Sequence, residues 1–199
     1  MRHNDSCNLC LSPDKRRRNL LRTAGLLPLF FGSIIVNAKF SSVFAAPSQG
    51  NWARCINCSM LFFNGYQKKG VCPAVSGGHQ PFKVDADIRK YELVYDDSTG
   101  PGQGDWRYCR KCAVLFFNGY PSKGICAADH QGHDPAGYNF FLYHDREPTP
   151  SEESGWSFCR KCQALFYISN PAVCPSPQDG KGHIAKGYRF VVGQKANTL

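Results

Sequence analysis

The chain has 199 residues, room for one or two small domains. Its net charge of +9 is uneven: residues 1–45 hold seven Lys/Arg and two Asp/Glu, and the rest hold 17 and 13, a mild +4. That leaves no basic stripe of the kind a nucleic-acid binder needs, so no nucleic-acid partner is expected.

The first segment in chain order is expected to be an export signal spanning residues 1–45. "KRRRNLLR" (Lys15 to Arg22) resembles a twin-arginine signal, with Arg17-Arg18, one intervening residue, then Leu20-Leu21. A diluted apolar run follows from Thr23 to Val36. It is shorter than the roughly 20 residues a membrane-spanning helix requires. "SSVFAAP" offers small residues for cleavage after Ala45. The resemblance implies export to the periplasm or beyond, with no membrane association after cleavage; the alternative is an uncut N-terminal anchor. Residues 46–199 form the predicted mature domain.

That domain is one unit written three times, over residues 51–95, 105–145 and 155–193. Trp52, Trp106 and Trp156 mark equivalent starts. The segments beginning at Tyr91, Tyr138 and Tyr188 alternate as strands do, and close each copy. In copy two, "WRYC" and "AVLFF" flank Arg110-Lys111 and predict a hairpin with a two-residue tip. Asp96–Gly104 and Arg146–Ser154, rich in Gly, Pro, Ser and acid, read as exposed connections. No helical periodicity follows Ala45.

Each copy carries three cysteines and a Gly-His: Cys55, Cys58, Cys72 and His79; Cys109, Cys112, Cys126 and His133; Cys159, Cys162, Cys174 and His183. Three cysteines per copy cannot all pair internally as disulfides. Three thiolates and an imidazole make a closed tetrahedral shell, the ordinary structural zinc arrangement, so about three zinc ions per chain are expected. Iron in the same shell, and disulfides with one free thiol per copy, are the alternatives. Gly78, Gly132 and Gly182 are expected to let the backbone turn sharply before each histidine. Arg110 and Lys111, like Arg160 and Lys161, are expected to offset the residual negative charge of the site. Cys7 and Cys10 form a further pair inside the signal and are assigned no mature role.

The repeated tryptophans are expected in a shared core, and one of each adjacent aromatic pair after Leu61, Leu115 and Leu165 is expected to face outward. His130 and His144 are expected at the surface. "NGY" occurs in two copies (Asn64-Gly65-Tyr66 and Asn118-Gly119-Tyr120) but becomes Ile168-Ser169-Asn170 in the third. A feature the fold needs should recur three times, so Asn64, Tyr66, Asn118 and Tyr120 are the candidate ligand-binding residues.

The expected fold is all-β: three pseudo-symmetric repeats of short strands, β-trefoil-like, each stapled by a Cys3His zinc site. Three zinc-ribbon-like beads on linkers are the alternative. The repeat resembles a Trp-x-x-Cys-x-x-Cys-x-x-Leu-Phe…Cys…Gly-His unit found in tandem in secreted bacterial proteins, over nearly all of residues 51–192. That resemblance implies no particular activity. No catalytic constellation is present, so the expected function is a secreted, zinc-stabilised binding module for a glycan, cell-envelope or protein ligand. Metal sequestration or sensing is the alternative; a zinc-dependent hydrolase would need an open metal position.

Overall fold

The computed structural model describes residues 46–96, 100–176 and 182–195. The export signal, with Cys7 and Cys10, lies outside the described residues. Among the described residues every regular element is a strand.

Each copy uses three strands in the same way. The first strand carries the tryptophan: β1 (Ser48–Arg54), β6 (Gly102–Cys109) and β9 (Glu152–Cys159). It turns back into a short strand: β2 (Leu61–Phe63), β7 (Leu115–Phe117) and β10 (Leu165–Tyr167), pairing Trp52 with Phe63, Trp106 with Phe117 and Trp156 with Tyr167. The closing strand, β5 (Lys90–Tyr95), β8 (Pro135–His144) or β11 (Ala185–Gln194), lies on its other side, placing Trp52 beside Tyr91, Trp106 beside Phe140 and Trp156 beside Phe190. Copy one adds a small hairpin, β3 (Lys83–Val84) and β4 (Asp87–Ile88). Its two-residue tip has φ of 49° at Asp85 and 71° at Ala86, as a primed hairpin turn requires.

The copies are joined in a ring rather than strung out. The closing strands pair with one another: Val94 with Phe141, Tyr143 with Val191, and Gly193 with Glu92. At the other end the short strands meet in the same cyclic order, through Phe62 and Val114, Phe116 and Ala164, and Phe166 and Met60. The sheet is therefore closed almost into a barrel with an approximate threefold repeat, and the bead arrangement does not hold.

Alternation along the short strands explains why none of them could stand alone. Leu61, Leu115 and Leu165 point into the barrel with Trp52, Trp106 and Trp156. Phe62, Phe116 and Phe166 point the other way, into a second layer built around the nine cysteines. Both faces are buried, so the expectation of an outward-facing aromatic is corrected: Phe63, Phe117 and Tyr167 also pack against the barrel core. All three tryptophans are fully buried, and each meets a ring of the next copy edge to face: Trp52 with Phe140 at 5.2 Å, Trp106 with Phe190 at 5.1 Å, Trp156 with Tyr91 at 5.2 Å. Such pairs add roughly 0.5–1.5 kcal/mol beyond area burial.

The connections are shorter than their composition implies, because β6 starts at Gly102 and β9 at Glu152. Gly102 is pinned there by packing: a Cβ would sit 2.1 Å from the Phe141 ring. Glu152 is held by the Arg146 guanidinium and by the Thr149 N–H at 2.9 Å.

Candidate metal centres

Each Cys-x-x-Cys knuckle caps the turn between the first and short strands. The Ala113 N–H donates to the Cys109 carbonyl at 2.8 Å, and the Cys109 N–H to the Val114 carbonyl at 2.9 Å. The same pair of bonds closes the knuckles at Cys55 and Cys159. The tip is therefore longer than the two residues expected, and needs left-handed backbone after the second cysteine: φ is 61° at Ser59, 68° at Ala113 and 62° at Gln163. That geometry turns both sulfurs of the knuckle to one side.

The second loop brings the remaining ligands over. Its register is set by backbone bonds from His79 N to Lys69 O (3.1 Å), His133 N to Lys123 O (2.9 Å) and His183 N to Pro171 O (2.7 Å). The four ligand atoms of each copy then lie within 4.8 Å of one another, and all twelve residues are buried. Sγ of Cys55 is 3.9 Å from that of Cys72, and the equivalent pairs Cys109–Cys126 and Cys159–Cys174 repeat the distance. The histidine Nδ1 lies 3.4, 3.5 and 3.4 Å from Sγ of Cys58, Cys112 and Cys162. With Zn–S near 2.3 Å and Zn–N near 2.0–2.1 Å, a tetrahedral site requires S···S of about 3.8 Å and S···N of about 3.5 Å. The donor set fits a tetrahedral metal, and all nine cysteines among the described residues are free of disulfides.

The histidine tautomer is fixed by a contact that crosses between copies. Nε2 of His79 lies 3.1 Å from the Cys112 carbonyl, Nε2 of His133 lies 3.0 Å from the Cys162 carbonyl, and Nε2 of His183 lies 3.1 Å from the Cys58 carbonyl. Nε2 must donate to a carbonyl, which leaves the Nδ1 lone pair for the metal. Each ring also stacks on a phenylalanine of its own copy: His79 on Phe62, His133 on Phe116 and His183 on Phe166, at 4.9, 4.6 and 4.8 Å. The three centres thus form a directed ring, in which each histidine leans on the knuckle of the next copy. The twelve ligands were legible in the sequence, but this ring was not.

Without a cation, each cluster is electrostatically divided. Burial pushes the thiols of Cys58, Cys112 and Cys162 well above their ordinary range. Hydrogen bonds from Cys58 and Cys72 hold Cys55 far below it, and Cys109 and Cys159 behave alike. Burial works to lower His79, but bonds to Cys55 and Cys72 outweigh it and lift the ring to about 9. Three thiolates cannot coexist in so small a buried volume unless a divalent cation neutralises them. Metal uptake therefore releases protons, and acid favours metal loss.

The knuckle cations make further contacts, and the expectation for the glycines is corrected. Arg110 pairs with Asp134 at 3.2 Å, and Lys111 with Asp129 and the Gly132 carbonyl, each at 2.7 Å, while the Lys111 charge also acts on Cys109 and Cys126. The two ion pairs tie the knuckle to the second loop. Of the three glycines before the histidines, only Gly78 has a left-handed backbone, with φ of 95°. Gly132 and Gly182 instead admit close neighbours, at 3.1 Å from the Lys123 Cβ and 3.2 Å from the Pro171 carbonyl oxygen.

The demanding glycines lie earlier. Gly70 has φ of 68°, and a Cβ there would sit 2.2 Å from the Cys112 carbonyl oxygen, the acceptor for His79. Gly124 (φ 66°) stands against the Cys162 carbonyl oxygen at 2.1 Å. Gly70→Ala or Gly124→Ala should destabilise the chain by about 1–3 kcal/mol. The substitution should also speed metal loss to a chelator from the affected site, read by a competing chromophoric ligand. Wild-type exchange rates would contradict the importance of that carbonyl contact.

The remaining candidates lie on the surface. Tyr66 and Tyr120 are 58% and 50% exposed. Asn64 and Asn118 are half-buried; their N–H groups donate to Asn51 and Asp105 carbonyls at 2.7 Å, and their own carbonyls accept from Lys69 and Lys123. They shape the loop that presents each tyrosine. His130 is exposed, whereas His144 is half-buried and stacks on Tyr188 at 3.7 Å. No family model matches the chain, and no curated protein or solved structure matches it either.

Proposed function

We propose that this chain is an exported binding module of β-trefoil architecture, in which three structural zinc ions staple the copies and the ligand is held outside the metal layer. The observation that supports this most is the closure of each Cys3His shell by four buried protein atoms. A hydrolytic zinc needs a position for water, and a shell of four protein ligands leaves none. Zinc is the reading favoured over iron because it is the commoner occupant of closed thiolate–imidazole sites. Export in a folded state, by the twin-arginine route, fits such a chain: metal loaded in the reducing cytoplasm keeps the thiols from oxidising.

The test is elemental analysis of the purified chain with a free-thiol titration. About three zinc ions, nine protected thiols in the repeat region and metal retained against a strong chelator are expected. No metal with disulfides overturns the reading. Metal that exchanges freely supports sequestration or sensing instead, and a site with fewer than four protein ligands supports a hydrolase.

A further inference from the structure

The threefold repeat allows the three junctions between copies to be compared position by position. Between copies one and two, Phe63, Tyr66 and Tyr108 form an aromatic wall, with ring centroids 5.0, 6.1 and 6.2 Å apart. Between copies two and three, Phe117, Tyr120 and Phe158 repeat it at 5.1, 6.0 and 5.9 Å. Each junction adds a half-exposed tyrosine held flat by a stacked ring: Tyr138 on Tyr95 and Tyr188 on His144.

The third junction is built differently. Asn170 replaces the exposed tyrosine, and Arg54 stands where Tyr108 and Phe158 stand. Its guanidinium lies 3.8 Å over Phe82 and 4.3 Å over Tyr167. Glu153, in the place of Gln49 and Gln103, accepts from the Tyr91 hydroxyl and pairs with Arg89 at 3.6 Å. At the third junction a cation covers the rings and Glu153 is paired. The first two leave rings exposed.

The first junction also opens into a groove of about 570 Å³, flanked by Lys68, Lys69, Arg110 and Lys111 together with Tyr66 and Tyr108, with no acidic residue in its lining. Asp129 and Asp134, outside the lining, take up Lys111 and part of Arg110, and Lys69 is tied to a backbone carbonyl. Lys68 is exposed and has no polar partner among the described residues. The second junction is a smaller cleft of about 90 Å³ with Lys186 and Gln103 at its rim.

We infer that the first two junctions bind an acidic polysaccharide, with sugar rings on the tyrosine faces and carboxylates at Lys68 and Arg110 in the larger groove and Lys186 in the smaller cleft. The inference rests on the binding-module reading and names its ligand class. Aromatic faces alone accept any apolar ring, but grooves whose charged lining residues are all basic select anionic chains by charge complementarity. Two such sites on one rigid body add avidity toward a repeating polymer.

The test is calorimetric titration of the zinc-loaded chain with polygalacturonate, with neutral dextran and inorganic polyphosphate as comparisons. Polygalacturonate should bind, and binding should weaken at least tenfold in Tyr66→Ala and Lys68→Glu chains whose zinc content and melting temperature are unchanged. Arg54→Ala, at the third junction, should leave binding unaltered. Equal binding of polyphosphate overturns the sugar assignment, and equal binding of dextran overturns the charge assignment. Binding unaffected by Tyr66→Ala and Lys68→Glu places the ligand elsewhere and overturns the site. No binding to any of the three, with three zinc ions still held, overturns this inference while the structural-zinc reading stands.

Discussion

A Cys112→Ser chain should lose more than one metal ion. Cys112 serves two centres: its Sγ belongs to the second, and its carbonyl receives Nε2 of His79 from the first. Weakening the thiolate ligand loosens the knuckle, and a loosened knuckle moves the carbonyl that orients His79. The next backbone position adds to the coupling, since the Ala113 carbonyl accepts from Phe63 of copy one at 2.9 Å. The scale is large: a structural zinc contributes about 10–16 kcal/mol in small zinc-dependent peptides, comparable to the whole stability of an ordinary domain, about 5–15 kcal/mol. Native mass spectrometry should find at most one tightly held metal ion, with the first centre emptied by chelator before the third. The direction matters, because the third centre leans on Cys58 rather than on Cys112. Two metal ions held as firmly as in the wild type would show that the centres are independent.

The ligand set was legible because a chemical constraint wrote it three times in register, and spacing alone carries a Cys3His pattern. The choice between a closed ring and separate beads was not legible in the same way. It depends on pairings such as Gly193 with Glu92 and Met60 with Phe166, which join residues about a hundred positions apart. One signal was available: "MLFF", "VLFF" and "ALFY" lack the polar alternation of a half-solvated strand, which is how strands buried on both faces read. The ion pairs of Arg110 and Lys111 with Asp134 and Asp129 were not legible, because those acids lie on a loop whose approach the sequence does not state. The difference at the third junction could have been found by reading down the repeat, where Arg54 stands alone against Tyr108 and Phe158.

Trp106→Ala should destabilise the entire ring, by about 3–5 kcal/mol, the usual cost of truncating a buried aromatic to alanine. Trp106 is fully buried and touches Phe117 of its own copy, but also Phe158 and Phe190 of the next. The void left by the indole therefore opens at the seam between copies two and three, where Phe190 pairs with Trp156 across the sheet and its neighbour Val191 with Tyr143. Because every seam is built this way, no copy has a private core to fall back on. Calorimetry of the metal-loaded chain should show one transition in the wild type, and one transition in the variant at a midpoint lower by roughly 6–20 °C. Trp106→Phe keeps an edge-to-face partner for Phe190 and should lose less than half as much. Separate transitions, with only one of them moved by the substitution, would mean that copies two and three unfold independently despite the rings they share.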